Sequence, residues 1–299
     1  MNCIDKITYY SSKLVSYCLY VIAIVMVITV PSIHIIKILP FYFDYYPIPI
    51  ALFITCFLST TLIFSAIIYF RGVREPFLPV HDASELQQFV DQGFNKNEFE
   101  ICTKCNSLKP FRCHHCSKCN RCVYRMDHHC AWFGGCVGSH NIRFFFSFLV
   151  SLGTTSLLAA LSFIPMKKID DMTRMTFIIE TIIGLLLVGY ALYHYVLLRS
   201  NQTTLEITEN LYRYLKEPSA IRKYVLPYDL GVKKNLKQAL RYNKPIELLN
   251  PFAKMTPINE MKVIISKEFD DHFDEVEDYY EKESKEHETM IENENLKNE

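Results

Sequence analysis

The sequence predicts an all-α integral membrane protein with four transmembrane helices and a cytosolic cysteine-rich domain between helices 2 and 3. Two observations carry that prediction. Four apolar runs divide the chain, and eight of its eleven cysteines crowd into one stretch between the second and third runs. A third observation, the charge of the loops, sets the orientation.

The runs are Leu14 to Ile36, Ile48 to Phe70, Phe144 to Ile164 and Phe177 to Leu198. Each holds about 20 residues, enough for a helix to cross ~30 Å of hydrocarbon. They are apolar on every face, unlike the one-sided helices of a soluble domain. The first is too long for a signal-peptide core, and no small-residue cleavage site follows it. Polar groups inside the runs are few. His34 and Glu180 stand out, both near run ends, where an interfacial position is expected.

The connections Lys37 to Pro47 and Pro165 to Thr176 are short, so they share one side of the membrane. The other side carries the N-terminus, the long loop and the C-terminal region. That loop is rich in Lys and Arg from Arg71 to Arg143, which places it in the cytoplasm. The aromatic cluster Phe41 to Tyr46 is expected to form a belt at the opposite interface.

Net charge is zero, yet Lys267 to Glu299 carries 14 acidic and 4 basic groups, leaving 18 acidic and 28 basic in the remainder. A basic body suits anionic partners such as lipid headgroups, phosphates or nucleic acid. The acidic end reads as a solvated, disordered tail. The expected organisation is therefore 1–13 cytosolic, 14–70 helices 1 and 2, and 71–143 the cysteine-rich domain. Residues 144–198 form helices 3 and 4, 199–266 a cytosolic C-terminal region and 267–299 the tail.

A cytosolic cysteine cluster points to metal or catalysis, because thiols there are kept reduced. The spacing is Cys-x2-Cys, then His-Cys-x2-Cys-x2-Cys, then Asp-His-His-Cys followed five residues later by Cys136. Repeated Cys-x2-Cys pairs suit tetrahedral Zn2+, and a short segment without a large core needs such staples. Two closed sites need eight ligands, while Cys102 to Cys136 offers twelve Cys and His side chains.

This segment resembles the cysteine-rich domain of the DHHC family of protein S-acyltransferases, with Asp127-His128-His129-Cys130 intact. The resemblance extends to four helices with the domain between the second and third. It implies one structural zinc on Cys102, Cys105, His115 and Cys122, and another on Cys116, Cys119, His129 and Cys136. It further implies that Cys130 is the nucleophile, with His128 taking its proton and Asp127 orienting the imidazole. Cys130 as a metal ligand, with another cysteine spare, is the alternative.

The reaction implied moves a palmitoyl or similar long acyl group from acyl-CoA onto cysteines of membrane-associated proteins. The expected partners are palmitoyl-CoA, those proteins and the bilayer, with no nucleic acid. Lys109, Arg112 and His114 match the positions where the family contacts CoA phosphates. Trp132 matches the family's tryptophan near the acyl chain. "TTLE" (Thr203 to Glu206) matches a Thr-Thr-x-Glu motif in which Thr204 would bond near the aspartate. "YDLGVKKNLKQAL" resembles the C-terminal motif in which Asn235 braces the domain. The "WF" and "FFFSFL" segments, with Lys, Asn and Ile abundance, look most like the fungal vacuolar branch. A vacuolar membrane is the expected location, with Golgi or ER as alternatives.

The chain departs from the family at Ala131, where proline is usual, and at Gly134 and Gly135, where two asparagines are usual. "REPFLP" replaces an Asp-Pro-Gly motif, and Leu240 stands where an aromatic is expected. Three rivals come from other classes. A RING-like ubiquitin ligase would end in Cys-x2-Cys, a non-enzymatic acyl-CoA-binding scaffold would tolerate loss of Cys130, and a transporter would show repeats and central charges.

Overall fold

The computed structural model describes residues 11, 13–25, 28, 39–93, 99–164, 170–216 and 228–257. The expectations for His34 and for the acidic tail lie outside the described residues.

Among the described residues, three helices are long and apolar enough to cross a membrane. They are α3 (Ile48–Arg74), α5 (Ile142–Ser162) and α6, whose apolar part is Thr173–Arg199 of Asp171–Arg199. Of the first expected span, α1 (Lys13–Val25) is a shorter apolar helix, and most of the rest of that run lies outside the described residues. Chemistry at the helix ends explains where they stop. Helix α3 starts with a proline in its first turn, where a missing N–H costs nothing. It ends on Arg71 and Arg74, cations that complement the negative helix terminus, with Arg71 held to Glu75 at 2.9 Å. Helix α6 starts where the Asp170 carboxylate accepts the Thr173 amide at 2.6 Å.

The expected aromatic belt takes a different form. Leu39–Tyr45 is a short helix, α2, and its Tyr42 is fully buried with its hydroxyl 2.6 Å from Ser162 Oγ. Tyr46 donates to the Ser162 carbonyl at 2.8 Å. Tyr42 and Tyr46 therefore cap the end of α5. Glu180 is buried within α6.

The cysteine-rich segment corrects the all-α expectation. It folds as three antiparallel hairpins, β1 (Phe99–Cys102) with β2 (Ser107–Pro110), β3 (His114–Cys116) with β4 (Arg121–Val123), and β5 (His128–Cys130) with β6 (Gly135–Val137). The short helix α4 (Leu86–Asp91) precedes them. The hairpins obey a fourteen-residue period in the sequence: Cys102, Cys116 and Cys130 each end the first strand. The pairings repeat in step, Cys102 with Ser107, Cys116 with Arg121, and Cys130 with Gly135. Asn106, Asn120 and Gly134 hold the same turn position with φ of 49°, 51° and 72°. Asn and Gly tolerate that left-handed backbone best, so Gly134 satisfies a turn requirement that asparagine meets in the first two hairpins.

The third hairpin docks on the helices. Gly72 of α3 lies so close to Phe133 and Phe144 that a Cβ there would stand 2.5 Å from the Phe133 ring. Phe133 in turn packs against Tyr69 and Phe145 with ring centroids 5.5 and 5.4 Å away. Asn141 accepts from the Gly138 amide and donates to the Cys136 carbonyl, so β6 runs into α5 without slack. After α6 come α7 (Thr204–Lys216) and α8 (Val232–Leu240), which buries Asn235, Ala239 and Leu240.

Candidate active site

Each of the first two hairpin turns carries a Cys-x2-Cys knuckle, and the following hairpin supplies a His/Cys pair directly across its strands. Thus Cys102 and Cys105 meet His115 and Cys122, and Cys116 and Cys119 meet His129 and Cys136. In the first group His115 Nδ1 lies 3.4, 3.6 and 3.9 Å from the sulfurs of Cys102, Cys105 and Cys122. In the second, His129 Nδ1 lies 3.6, 3.3 and 3.7 Å from Cys116, Cys119 and Cys136. A tetrahedron built on Zn–S of ~2.3 Å and Zn–N of ~2.0 Å has edges of about 3.5–3.8 Å. The donor set and spacing therefore fit Zn2+, and both groups are closed. Ligation through Nδ1 leaves the Nε2 atoms of His115 and His129 buried without a hydrogen-bond partner.

The third hairpin breaks the pattern. Phe133 stands where the second knuckle cysteine would be, and among the described residues no fourth hairpin supplies a His/Cys pair. Cys130 keeps the position of a ligand but joins neither metal group, which is why its sulfur is available for chemistry. Alternation along β5 does the rest. His129 turns to its metal group, while His128 and Cys130, two residues apart, share the opposite face.

On that face the Asp127 carboxylate bonds His128 Nδ1 at 2.7 Å. Both Asp127 oxygens are held from beyond α6: the Thr204 amide donates to Oδ1 at 3.0 Å and its hydroxyl to Oδ2 at 2.8 Å. Burial alone would raise the Asp127 carboxyl, but these donors and the imidazole hold it below the usual range. Burial likewise pushes His128 down, yet Asp127 and the adjoining Cys130 sulfur outweigh it and lift the ring to about 9. At neutral pH this is an imidazolium held between a carboxylate and a thiol. The ring thus lies beside the sulfur, within reach of a proton transfer to or from it.

Arg112 lies elsewhere than expected. Its side chain is 6 % exposed, Nε donates to Glu206 Oε1 at 2.6 Å and Nη2 to Oε2 at 3.0 Å. Further bonds reach the Asn201 carbonyl and side chain, and the guanidinium stacks 4.0 Å from the Tyr228 ring centre. A planar fork matches a carboxylate two-to-two, so Arg112 ties the first hairpins to the segment after α6 rather than facing an anionic ligand. Glu206 also accepts the Thr203 amide at 2.9 Å, which starts α7 and holds Thr204 in place.

Lys109 pairs with Glu100 across β1 and β2 at 2.5 Å, and His114 is half-buried at the start of β3. Trp132 is 50 % exposed beside Cys130, and its carbonyl accepts the Tyr69 hydroxyl at 2.8 Å. Asn235 donates to the Arg199 carbonyl at 2.8 Å and accepts the Leu230 amide at 2.8 Å, fastening α8 to the end of α6. Cys113 is buried beside Leu108 and Tyr124, where burial pushes its thiol up.

Residues 95–211 match the family model described as DHHC palmitoyltransferase. That segment is thus similar to the DHHC palmitoyltransferase family. The DHHC domain spans all three hairpins, α5, α6 and the start of α7. Over 197 residues the chain is 35 % identical to "Probable protein S-acyltransferase 14" of Arabidopsis thaliana, covering 62 % of this chain and 60 % of that one. It is 43 % identical over 134 residues to "Putative ZDHHC-type palmitoyltransferase 4" of Dictyostelium discoideum, covering 41 % and 37 %. It is 35 % identical over 155 residues to "Palmitoyltransferase PFA3" of Debaryomyces hansenii, covering 48 % and 38 %. The chain thus spans at most about three-fifths of the length of these relatives.

Sequence reasoning missed two residues beside this DHHC motif. One is Phe133, detectable from the fourteen-residue period. The other is His194, a histidine inside an apolar span, which is uncommon enough to be a signal by itself.

Proposed function

We propose that this chain is an integral-membrane protein S-acyltransferase, carrying a palmitoyl or similar long acyl group from acyl-CoA to cysteines of membrane-associated proteins through an acyl-enzyme on Cys130. The observation that carries the reading is the Asp127–His128 bond of 2.7 Å on the strand face that also bears Cys130.

In the first half-reaction the Cys130 thiolate attacks the thioester carbonyl carbon, a new C–S bond forms and the bond to coenzyme A breaks. The departing thiolate takes a proton from His128. In the second, a substrate cysteine gives its proton to His128 and attacks the acyl-enzyme, and Cys130 leaves. Both steps exchange one thioester for another, so positioning and thiolate supply set the barrier. Asp127, braced by Thr204, keeps the imidazole in the orientation both transfers need.

The two zinc groups hold the hairpins in register and leave no open position for substrate. Lys109 and His114 are the proposed contacts for CoA phosphates, joined by Arg112 only if its ion pair opens. The acyl chain, whose burial is worth ~0.8 kcal/mol per methylene, would enter between the helices beside Trp132. A fourth span over Leu14 to Ile36 and both termini in the cytoplasm complete the reading. The resemblance to proteins named PFA3 favours a vacuolar membrane.

The test is purified protein in detergent with labelled palmitoyl-CoA, run on a denaturing gel with and without hydroxylamine. A hydroxylamine-labile label that Cys130→Ser abolishes, with both zincs retained, supports the proposal. A zinc-loaded wild type that never labels sinks it.

A further inference from the structure

His194 of α6 is fully buried, and neither ring nitrogen has a hydrogen-bond partner. A buried imidazole nitrogen left unpaired is costly, so a polar ring in such a place points to a ligand. Its surroundings say where that ligand sits. Phe145, Tyr190 and Tyr193 wall the ring with centroids 5.1, 4.6 and 5.4 Å away. The polar neighbours are Asp127 and His128: one donor atom from each of the three residues falls within 4.8 Å of the others. The His128 ring centre lies 5.9 Å from that of His194.

Two imidazoles and a carboxylate make a familiar facial set for a divalent transition ion, whose remaining positions water can fill. Asp127 Oδ1 accepts one hydrogen bond, from Thr204, and keeps a lone pair for a metal. The way in runs past His128, whose side chain is 19 % exposed.

We propose that Asp127, His128 and His194 form a third metal site that takes Zn2+ or a similar imidazole-seeking divalent ion. Occupation and catalysis exclude each other, because the metal engages the Asp127 carboxylate and the His128 ring that would orient and move the proton. Loading therefore inhibits. That consequence rests on the acyltransferase reading, whereas the metal count does not.

The experiment is metal analysis of purified wild-type protein equilibrated against increasing free Zn2+, beside His194→Phe and His194→Gln. Wild type is expected to rise from two to three ions per chain. The variants are expected to keep two and to bind the third at least ~100-fold more weakly, since loss of even an outer partner costs ~10–100-fold. Self-acylation followed in parallel falls in wild type as the third ion binds, and the variants escape that fall. Wild type that stays at two ions under saturating Zn2+ overturns the proposal, as does a third ion held equally by the variants. Retention of two ions reports that a variant has folded. If both variants lose them, Asp127→Asn replaces them in the metal count alone, with the same expected loss of the third ion. Absence of self-acylation with a third ion present defeats the functional reading alone.

Discussion

Thr204 holds Asp127 by both of its carboxylate oxygens, through its amide at 3.0 Å and its hydroxyl at 2.8 Å, across 77 residues of sequence. Asp127 is thus oriented by the segment that follows α6, not by its own hairpin. A shift of α6 would be felt at His128.

Removing the Thr204 hydroxyl tests that arrangement. Thr204→Val keeps the amide contact and loses a hydrogen bond to a charged group, worth about 1.5–3 kcal/mol. Self-acylation of Cys130 should slow by roughly 10–100-fold, with both zincs still bound. An unchanged rate in a single-turnover assay would show that Asp127 is held well enough without it.

Arg112 separates two roles. As half of a buried pair with Glu206, its truncation to Ala should destabilise the domain by about 3–5 kcal/mol. Arg112→Lys should recover little, because a single ammonium cannot replace the fork. Thermal melting checks this. A raised KM for palmitoyl-CoA with unaltered melting would restore the phosphate-contact role instead.

Metal removal should unfold the hairpins rather than merely slow the chemistry. Cys105→Ser is expected to lose the first metal and Cys119→Ser the second, each with loss of stability and labelling. Cys130→Ser is expected to keep both metals and the wild-type melting curve, since its sulfur belongs to neither group. Metal counts beside circular dichroism distinguish the cases.

The pH dependence has a definite sign. His128 is lifted to about 9 in the folded protein, above its unfolded value of about 6.5. Its pairing with Asp127 therefore contributes stability that is fully present below about 6.5 and lost as pH rises through about 9. Asp127 is shifted down, so its contribution is present above the unfolded carboxyl value and fades as pH falls. The difference in melting temperature between wild type and His128→Gln should be largest in mildly acidic to neutral buffer and shrink towards pH 9 and above. A difference that grows with alkalinity would contradict the ion pair.

The membrane class, the placement of the cysteine-rich segment and the metal chemistry were legible in the chain, because hydropathy and ligand spacing are local properties. Ile48 to Phe70, Phe144 to Ile164 and Cys102 to Cys136 announce themselves within windows of a few dozen residues. The fourteen-residue period was equally present in the letters. It explains why Cys130 is spared: Phe133 interrupts the third knuckle.

Tertiary structure decided the rest. No spacing rule connects Arg112 to Glu206, Thr204 to Asp127 or His194 to His128, since each pair is assembled by the packing of α6 against the hairpins and α5. Lys109, Arg112 and His114 look alike as a basic stretch in sequence. Folding turns Arg112 inward to a carboxylate and leaves Lys109 on Glu100 and His114 half-buried. Residue type and spacing establish which chemistry is possible; burial and long-range partners, which depend on how helices and hairpins meet, establish which side chains remain free to perform it.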